Sequence, residues 1–81
     1  MAISNKYIPV VIEANYAGDF CIDVVFSNSV EKRIDCKKYI GGGIFESLKD
    51  ENYFRRFFVD GWTISWPNGA DIAPETLYYY S

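Results

Sequence analysis

Hydrophobic and polar residues alternate over short stretches of this chain, a pattern that predicts β-strands joined by tight turns. The most regular stretch covers residues 20–26, where Phe20, Ile22, Val24 and Phe26 fall on one face. Residues 30–36 predict the strand that returns from it. Residues 7–14 are rich in β-branched side chains and predict an earlier strand, with Pro9 near its start or on a sheet edge, and residues 15–19 predict a turn.

The register of the hairpin between residues 20 and 36 can be predicted, because directly opposed residues share a face of the sheet. A two-residue loop would place apolar residues of the first strand against charged residues of the second. A three-residue loop, residues 27–29, pairs Phe26 with Val30, Ile22 with Ile34 and Asp23 with Arg33. We prefer the longer loop, which places Cys21 and Cys36 on opposite faces and predicts no disulfide between them.

The second half of the chain predicts short helices and a second hairpin. Residues 41–43 are three consecutive glycines and predict a flexible break. Helical spacing follows over residues 44–49, and Asp50 is placed to cap another turn of helix. Asp60-Gly61 predicts a hairpin turn between strands at residues 58–59 and 62–66, with both tryptophans and Ile64 on one face. Pro74 is suited to the first position of a final helix.

Length and composition favour one small folded domain. The chain has 81 residues, of which 49% are hydrophobic and 19% aromatic, and a chain of this length buries only about 60% of the surface that it exposes when unfolded. We predict a short tail at residues 1–6 and a single α+β domain at residues 7–81. The predicted fold has two layers, an antiparallel sheet of four to five strands with short helices packed on one face.

Charge and residue types narrow the function classes. The net charge of −3 disfavours nucleic-acid binding unless the basic residues gather on one face. The chain has no histidine and two cysteines, which removes the usual zinc sites and the histidine-dependent triads. The apolar run at residues 7–14 is too short to span a bilayer and lacks a signal-peptide cleavage pattern, so we expect a cytoplasmic protein with no membrane contact.

A block near the carboxyl terminus, W-P-N-G-A-D-I-A-P-E-T-L-Y at residues 66–78, follows an F-x-x-L-x-D-x-x-Y-F pattern at residues 45–54. Together they resemble the bacterial domain of unknown function 2442 family. The signature residues of the block are Trp66, Pro67, Asn68, Gly69, Asp71, Pro74 and Leu77. The hairpin departs from the family, which typically has Asp-Gly where this chain has Asn28-Ser29. Serine suits a left-handed turn position less well than glycine does.

The resemblance implies an α+β fold, occurrence in bacteria and their mobile elements, and no established reaction. It also implies two settings: some similar proteins carry a helix-turn-helix domain after this module, and others are encoded beside a small partner in toxin–antitoxin-like pairs. We expect no DNA-reading segment in this chain.

Several residues are candidates for a site, and each also has an ordinary structural role. Asp71 is expected to cap a turn or helix start, with a ligand or metal as the alternative. Residues 41–43 could cradle a phosphate, but no P-loop lysine follows them. The basic residues could contact nucleic acid or form a solvated mixed surface. They are Lys32, Arg33, Lys37, Lys38, Arg55 and Arg56.

Three consecutive tyrosines, Tyr78, Tyr79 and Tyr80, exceed what one face of a short helix can bury, so we expect part of this run at an interface. The sequence therefore predicts a non-enzymatic protein-interaction module without a cofactor, with the tyrosines and an edge strand as its surface. We expect a protein partner or self-association. The alternatives are a regulatory nucleic-acid-associated module and a small-ligand binder around Asp71.

Overall fold

Two antiparallel three-stranded sheets form the framework of the computed structural model, which describes residues 9–79. The predicted tail at residues 1–6 lies outside the described residues. The first sheet has the order β1-β2-β3, with β1 at Val11–Gly18, β2 at Cys21–Phe26 and β3 at Glu31–Asp35. The second has the order β4-β5-β6, with β4 at Phe58–Asp60, β5 at Thr63–Ser65 and β6 at Asp71–Ile72.

Short helices connect the two sheets and close the chain. A 3-10 helix at Cys36–Tyr39 follows β3, a second spans Gly43–Lys49, α1 is Glu51–Phe54, and α2 is Pro74–Tyr79. Asp50 caps α1 as predicted, because its carboxylate accepts a hydrogen bond of 3.0 Å from the amide of Asn52. Pro74 is the first residue of α2, also as predicted.

The α+β class is confirmed, but the prediction of one sheet with four to five strands is wrong. The amide of Val11 donates to the carbonyl of Trp62 over 2.9 Å, which joins the start of β1 to the turn between β4 and β5. Directly after this bond, β1 carries an irregularity between Val11 and Glu13. The described strands of the second sheet pair only among themselves, so they do not extend the ladder of the first sheet.

The predicted hairpin register between β2 and β3 is confirmed. Ile22 lies opposite Ile34 and Asp23 lies opposite Arg33. The amide of Phe26 donates to the carbonyl of Val30 over 2.8 Å, which closes the three-residue loop. The inner face of this sheet, which carries the two isoleucines, is buried, and we call the face that carries Asp23 and Arg33 the outer face.

Two other turns differ from the prediction. The turn expected at residues 15–19 is strand as far as Gly18, and the chain reverses at Asp19 and Phe20, whose φ angles of 53° and 60° are both left-handed. This conformation is that of a type I′ turn, which matches the twist of a hairpin.

The second hairpin is also displaced by one residue. Gly61 and Trp62 form its turn, because Asp60 pairs with Thr63. Trp62 is therefore 64% exposed, whereas Trp66 is 1% exposed, so the expectation of both tryptophans on one face is wrong.

One hydrophobic core lies between the sheets and the helices. Both sheets contribute to it, with Phe26 from β2 and Ile64 from β5 fully buried. The helices add Leu48, Phe54 and Leu77. The ring of Phe54 packs against Trp66 with 5.7 Å between centroids. The backbone carbonyl of Phe54 accepts a 2.8 Å hydrogen bond from the indole nitrogen of Trp66. Trp66 thus links α1 to the end of β5.

Candidate interaction surface

The β3 strand has one paired edge and one edge without a partner strand among the described residues. It pairs with β2 alone within residues 9–79. The carbonyl of Val30 accepts from Phe26 of β2, and the amide of Cys36 donates to Phe20, the residue before β2. Because backbone groups alternate sides along a strand, the N–H and C=O groups of Glu31, Arg33 and Asp35 face away from β2. These groups can accept another strand.

The exposed edge lies beside the end of α2. The ammonium of Lys32 donates to the carbonyl of Tyr78 over 2.6 Å and lies 5.3 Å from the centre of its ring. The side-chain nitrogen Nδ2 of Asn28 donates to the Tyr78 hydroxyl over 3.0 Å. The Tyr78 ring also packs edge-on against Phe26, with centroids 4.9 Å apart. These contacts fasten α2 to the β2–β3 hairpin.

The three tyrosines of the predicted interface play different parts. Tyr78 is half-buried and makes the contacts with the hairpin. Tyr79 is 60% exposed, and its ring packs edge-on against Tyr78 at 4.9 Å. Tyr80 lies outside the described residues. The structure therefore brings one exposed tyrosine to the Lys32 end of the β3 edge.

Charged side chains cover the outer face of the first sheet. The Arg33 guanidinium bonds to both carboxylate oxygens of Asp23, at 2.7 and 3.1 Å. This pairing lowers the pKa of Asp23 and raises that of Arg33. The amide of Lys37, together with its ammonium, bonds to Asp35 and lowers the pKa of that carboxyl.

A shallow depression of about 440 Å³ lies on the outer face. Its lining includes Glu13, Asp23 and Glu31, with Arg33 among them. Glu31 has no ion pair or side-chain hydrogen bond among the described residues, so its carboxylate is available to a partner. The pKa shifts described above arise at exposed groups and reflect local pairing.

The basic residues do not gather on one face. Arg33 lies on the outer face of the first sheet, whereas Arg55 lies 5.2 Å from the ring of Tyr16, which is paired with Ile22 on the inner side. The ammonium of Lys37 bonds to both Asp19 and Asp35, which raises its pKa.

Four of the basic residues lie in or beside helices, with Lys37 and Lys38 both within the 3-10 helix at Cys36–Tyr39. Lys38 lies 5.4 Å from the ring of Tyr39. Arg55 directly follows α1, and Arg56 is an exposed residue of the turn after it. The convergence that the nucleic-acid alternative requires is therefore not seen in the described residues.

Asp71 is not at the start of α2. It lies exposed in β6 opposite Ser65, and the carbonyl of Ala73 accepts the first hydrogen bonds of the helix. The capping role predicted for Asp71 is therefore wrong, because the chain stays extended for two residues before the helix. Neither the depression on the outer face nor a smaller one of about 230 Å³ beside Phe20 and Ile40 is lined by Asp71.

The other residues of the carboxyl-terminal block build a turn. The side-chain oxygen of Asn68 accepts from the amide of Ala70, and its nitrogen donates to the carbonyl of Ile44, both over 3.0 Å. Pro67 is exposed in this turn, and Gly69 has a φ of 92°, which favours glycine. The block therefore ties β5 and β6 to the second 3-10 helix.

The three glycines at residues 41–43 all have positive φ and lead into the second 3-10 helix, as expected of a break. The amide of Gly42 donates to Glu46 over 3.0 Å. Within residues 9–79, no three Cys, Asp or Glu side chains are grouped closely enough to hold a metal ion. No helix in that range is long and apolar enough to cross a membrane.

Residues 11–81 match the family described as "Protein of unknown function (DUF2442)". The chain belongs to this family. The match covers β1 and everything that follows it, which includes the hairpin, the β3 edge and the carboxyl-terminal block. Comparison with curated proteins and with solved structures found no match.

Sequence reasoning found the tyrosine run but missed how it reaches the β3 edge. The contact between Lys32 and Tyr78 joins residues 46 positions apart, and no local pattern reveals such a pair. The alternation of β3 did carry one signal, since Lys32 shares a face with the buried Ile34. A lysine on an inner face suggests a specific acceptor for its ammonium.

Proposed function

We propose that this DUF2442 protein is a non-enzymatic interaction module that binds a protein partner by adding a strand to β3. The observation that carries the proposal is the β3 edge that has no partner strand within residues 9–79, with the backbone groups of Glu31, Arg33 and Asp35 directed outward. Main-chain hydrogen bonds supply affinity in this binding mode, and flanking side chains supply specificity.

The neighbouring aromatic surface supports the same function. Tyr79 is 60% exposed and packs against Tyr78, which accepts a hydrogen bond from Lys32 of β3. Tyrosine is enriched where protein surfaces meet because its ring buries apolar area while its hydroxyl stays hydrated. Tyr78 holds the end of α2 in place beside the edge, so Tyr79 is presented on an ordered element. A partner strand on β3 would contact both the backbone groups and this ring.

The biological setting that we propose is a small bacterial accessory or antitoxin-like protein acting on a genetically linked partner in the cytoplasm. The two alternatives receive less support. The basic residues lie on different sides of the first sheet, which gives a nucleic acid no continuous basic face. Asp71 is exposed and lines neither described depression.

The test compares three versions of the protein as bait in extracts of its host. Arg33→Pro removes an outward N–H without removing a ladder bond to β2, and proline is tolerated at such edge positions. Arg33→Gln is the matched control, because it removes the charge and keeps the N–H. We expect a protein that is captured by the wild type and by Arg33→Gln and lost with Arg33→Pro. Equal capture by all three would contradict strand addition at β3.

A further inference from the structure

We infer that the segment that adds to β3 carries a basic–x–acidic–x–basic charge pattern, placed opposite Asp35, Arg33 and Glu31. This inference rests on the proposed function and specifies the chemistry of the partner. The three outward-facing residues of β3 have alternating charge, negative, positive and negative. Their side chains also share the outer face of the first sheet.

Because of the geometry of strand pairing, this alternation of charge favours partner strands with the complementary charges. In antiparallel addition, residues opposite the three outward-facing positions form hydrogen-bonded pairs, with Cα atoms about 5.5 Å apart. Opposite charges in such pairs stabilise the sheet by about 0.2–1 kcal/mol each, and like charges destabilise it. Charged residues on an edge strand also discourage indiscriminate pairing. The charges of β3 therefore favour one kind of partner strand.

Glu31 is the dominant position of the three. Arg33 is already paired with Asp23 at 2.7 Å, and Asp35 with Lys37 at 3.1 Å. Glu31 has no side-chain partner among the described residues, and it borders the depression that Glu13 also lines. A basic residue opposite Glu31 can therefore form an ion pair with a carboxylate that has no other partner among the described residues.

A second copy of this chain is a poorer occupant. The antiparallel register that uses all three outward-facing residues is centred on Arg33. It places Arg33 against the Arg33 of the other copy and Glu31 against its Asp35. All three pairs of this register carry like charge, so self-pairing is repelled where it would be longest. The charge pattern therefore points to a foreign strand.

Three synthetic peptides test the inference against the full-length protein. The matched peptide is Thr-Lys-Val-Glu-Val-Lys-Thr. The permuted peptide, Thr-Lys-Val-Lys-Val-Glu-Thr, has the same composition and net charge, and the inverted peptide is Thr-Glu-Val-Lys-Val-Glu-Thr. Binding is measured by NMR titration, and strand addition by slowed amide exchange at Glu31, Arg33 and Asp35. We expect the matched peptide to bind about tenfold more tightly than the permuted one, since the pairs at Arg33 and Glu31 change from opposite to like charge.

Two variants separate this inference from the proposed function. Glu31→Lys is expected to remove the preference for the matched over the permuted peptide, since each of them then makes two pairs of opposite charge and one pair of like charge. Arg33→Pro is expected to abolish binding of both peptides. If the wild type binds the matched and permuted peptides with equal affinity and Arg33→Pro abolishes binding, the inferred charge pattern is overturned. Strand addition to β3 would still be supported by that result.

Two further outcomes would overturn the inference. The first is that none of the peptides slows exchange at the β3 amides of the wild type, a measurement that does not depend on the folding of any variant. The second is a wild-type dimer that dissociates on Arg33→Pro in analytical ultracentrifugation, which would make a second copy the occupant of the edge.

Discussion

Ser29 occupies a turn position whose backbone conformation is unfavourable for serine. It is the last residue of the three-residue hairpin loop and has a φ of 72°, the left-handed position that glycine usually fills in such loops. The preceding Asn28 supports the turn, because its side-chain oxygen accepts from the amide of Val30 over 3.2 Å. The serine side chain makes no described hydrogen bond that would offset its strained backbone.

Replacing Ser29 by glycine should therefore stabilise the protein. The left-handed conformation costs a non-glycine residue about 1–2 kcal/mol, and part of this gain is lost to the greater freedom of glycine in the unfolded chain. We expect Ser29→Gly to raise the free energy of unfolding by about 0.5–1 kcal/mol in urea denaturation. Ser29→Ala keeps the strain and is the control. A glycine variant no more stable than the alanine variant would show that the turn is unstrained.

Cys36 links stability to alkaline pH. Its thiol is 1% exposed, and burial raises its pKa from 9.0 to about 12. Because the unfolded chain loses this proton at lower pH than the folded chain does, the contribution of Cys36 to stability is complete below about pH 9. It falls as pH rises toward 12, by about 1.4 kcal/mol per pH unit.

The Cys36→Val variant should remove this dependence. We expect the stability of the wild type to fall more steeply between pH 8 and 10.5 than that of Cys36→Val, measured as the urea midpoint at each pH. Cys21→Val is the matched control, because Cys21 is only half-buried on the outer side of the hairpin. Parallel pH profiles for the wild type and Cys36→Val would contradict the argument.

The sequence predicted the residues whose role depends on neighbouring positions in the chain. It did not predict those whose role depends on pairing with a distant segment. The pairing of Ile22 with Ile34 follows from alternation and loop length, and Asp50 follows from its place before a helix. Asp71 has the same residue type as Asp50 but lies in a strand. The two-residue extension before Pro74 depends on pairing with β5, which no short window of sequence encodes.

The turn between β5 and β6 depends on the two hydrogen bonds of Asn68. One orders the turn itself, and the other reaches Ile44 in the second 3-10 helix. We expect Asn68→Ala to lower the free energy of unfolding by about 1–2 kcal/mol, since both backbone partners lose their bonds. Asn52→Ala is the control. Asn52 is exposed within α1, where alanine is a better helix former, so that variant should be as stable as the wild type or slightly more so.

The Asn68→Asp variant measures separately how much each of the two Asn68 hydrogen bonds contributes to stability. Aspartate keeps the acceptor for Ala70 and loses the donor to Ile44, so its stability should fall between those of the wild type and the alanine variant. Urea denaturation measures all of these variants. An alanine variant at position 68 that matches the wild type would show that the helix is held by other contacts.

The second hairpin places its two tryptophans in unlike environments, and this difference can be measured. Trp66 is 1% exposed and bonded to Phe54, whereas Trp62 is 64% exposed in the turn. We expect Trp66→Ala to cost about 3–5 kcal/mol and Trp62→Ala less than about 1 kcal/mol. Thermal unfolding of the two variants checks the contrast. Similar losses at the two positions would contradict this hairpin register.

The displaced hairpin explains why alternation misled the prediction here. Five alternating residues, from Trp62 to Trp66, read as one strand with a hydrophobic face. Gly61 has a φ of 75°, however, and the turn is centred on Gly61 and Trp62 because Asp60 remains in β4. Shifting the turn by one residue removes Trp62 from the strand. The carbonyl of Trp62 then bonds to Val11, a long-range contact that favours the observed turn.

At the scale of the whole molecule, the sequence predicted the class and missed the division into two sheets. Strand positions and the presence of short helices follow from local periodicity. Whether two groups of strands form one sheet depends on backbone bonds between distant segments. In this fold one such bond joins Val11 to Trp62, but among the described residues no ladder pairs β1 with a strand of the second sheet.

The end of α2 contributes both to the stability of the whole fold and to the proposed interaction surface. Two neighbouring tyrosines allow these two contributions to be tested separately. Tyr78 packs against Phe26 and accepts from Asn28. We expect Tyr78→Ala to lower the free energy of unfolding by about 2–4 kcal/mol, through lost burial and aromatic contact. Tyr78→Phe should cost only about 0.5–1.5 kcal/mol, because a single hydrogen bond is lost.

Tyr79→Ala is the complementary variant, since its ring is 60% exposed. Its stability should lie within about 0.5 kcal/mol of the wild type, while its capture of the partner in the bait comparison should weaken. Urea denaturation and the bait experiment are carried out on the same preparations, so that loss of binding cannot be attributed to unfolding. If Tyr79→Ala binds the partner as the wild type does, the interface does not include this ring. If it is as unstable as Tyr78→Ala, Tyr79 belongs to the folded core, and the end of α2 offers no tyrosine surface beside the β3 edge.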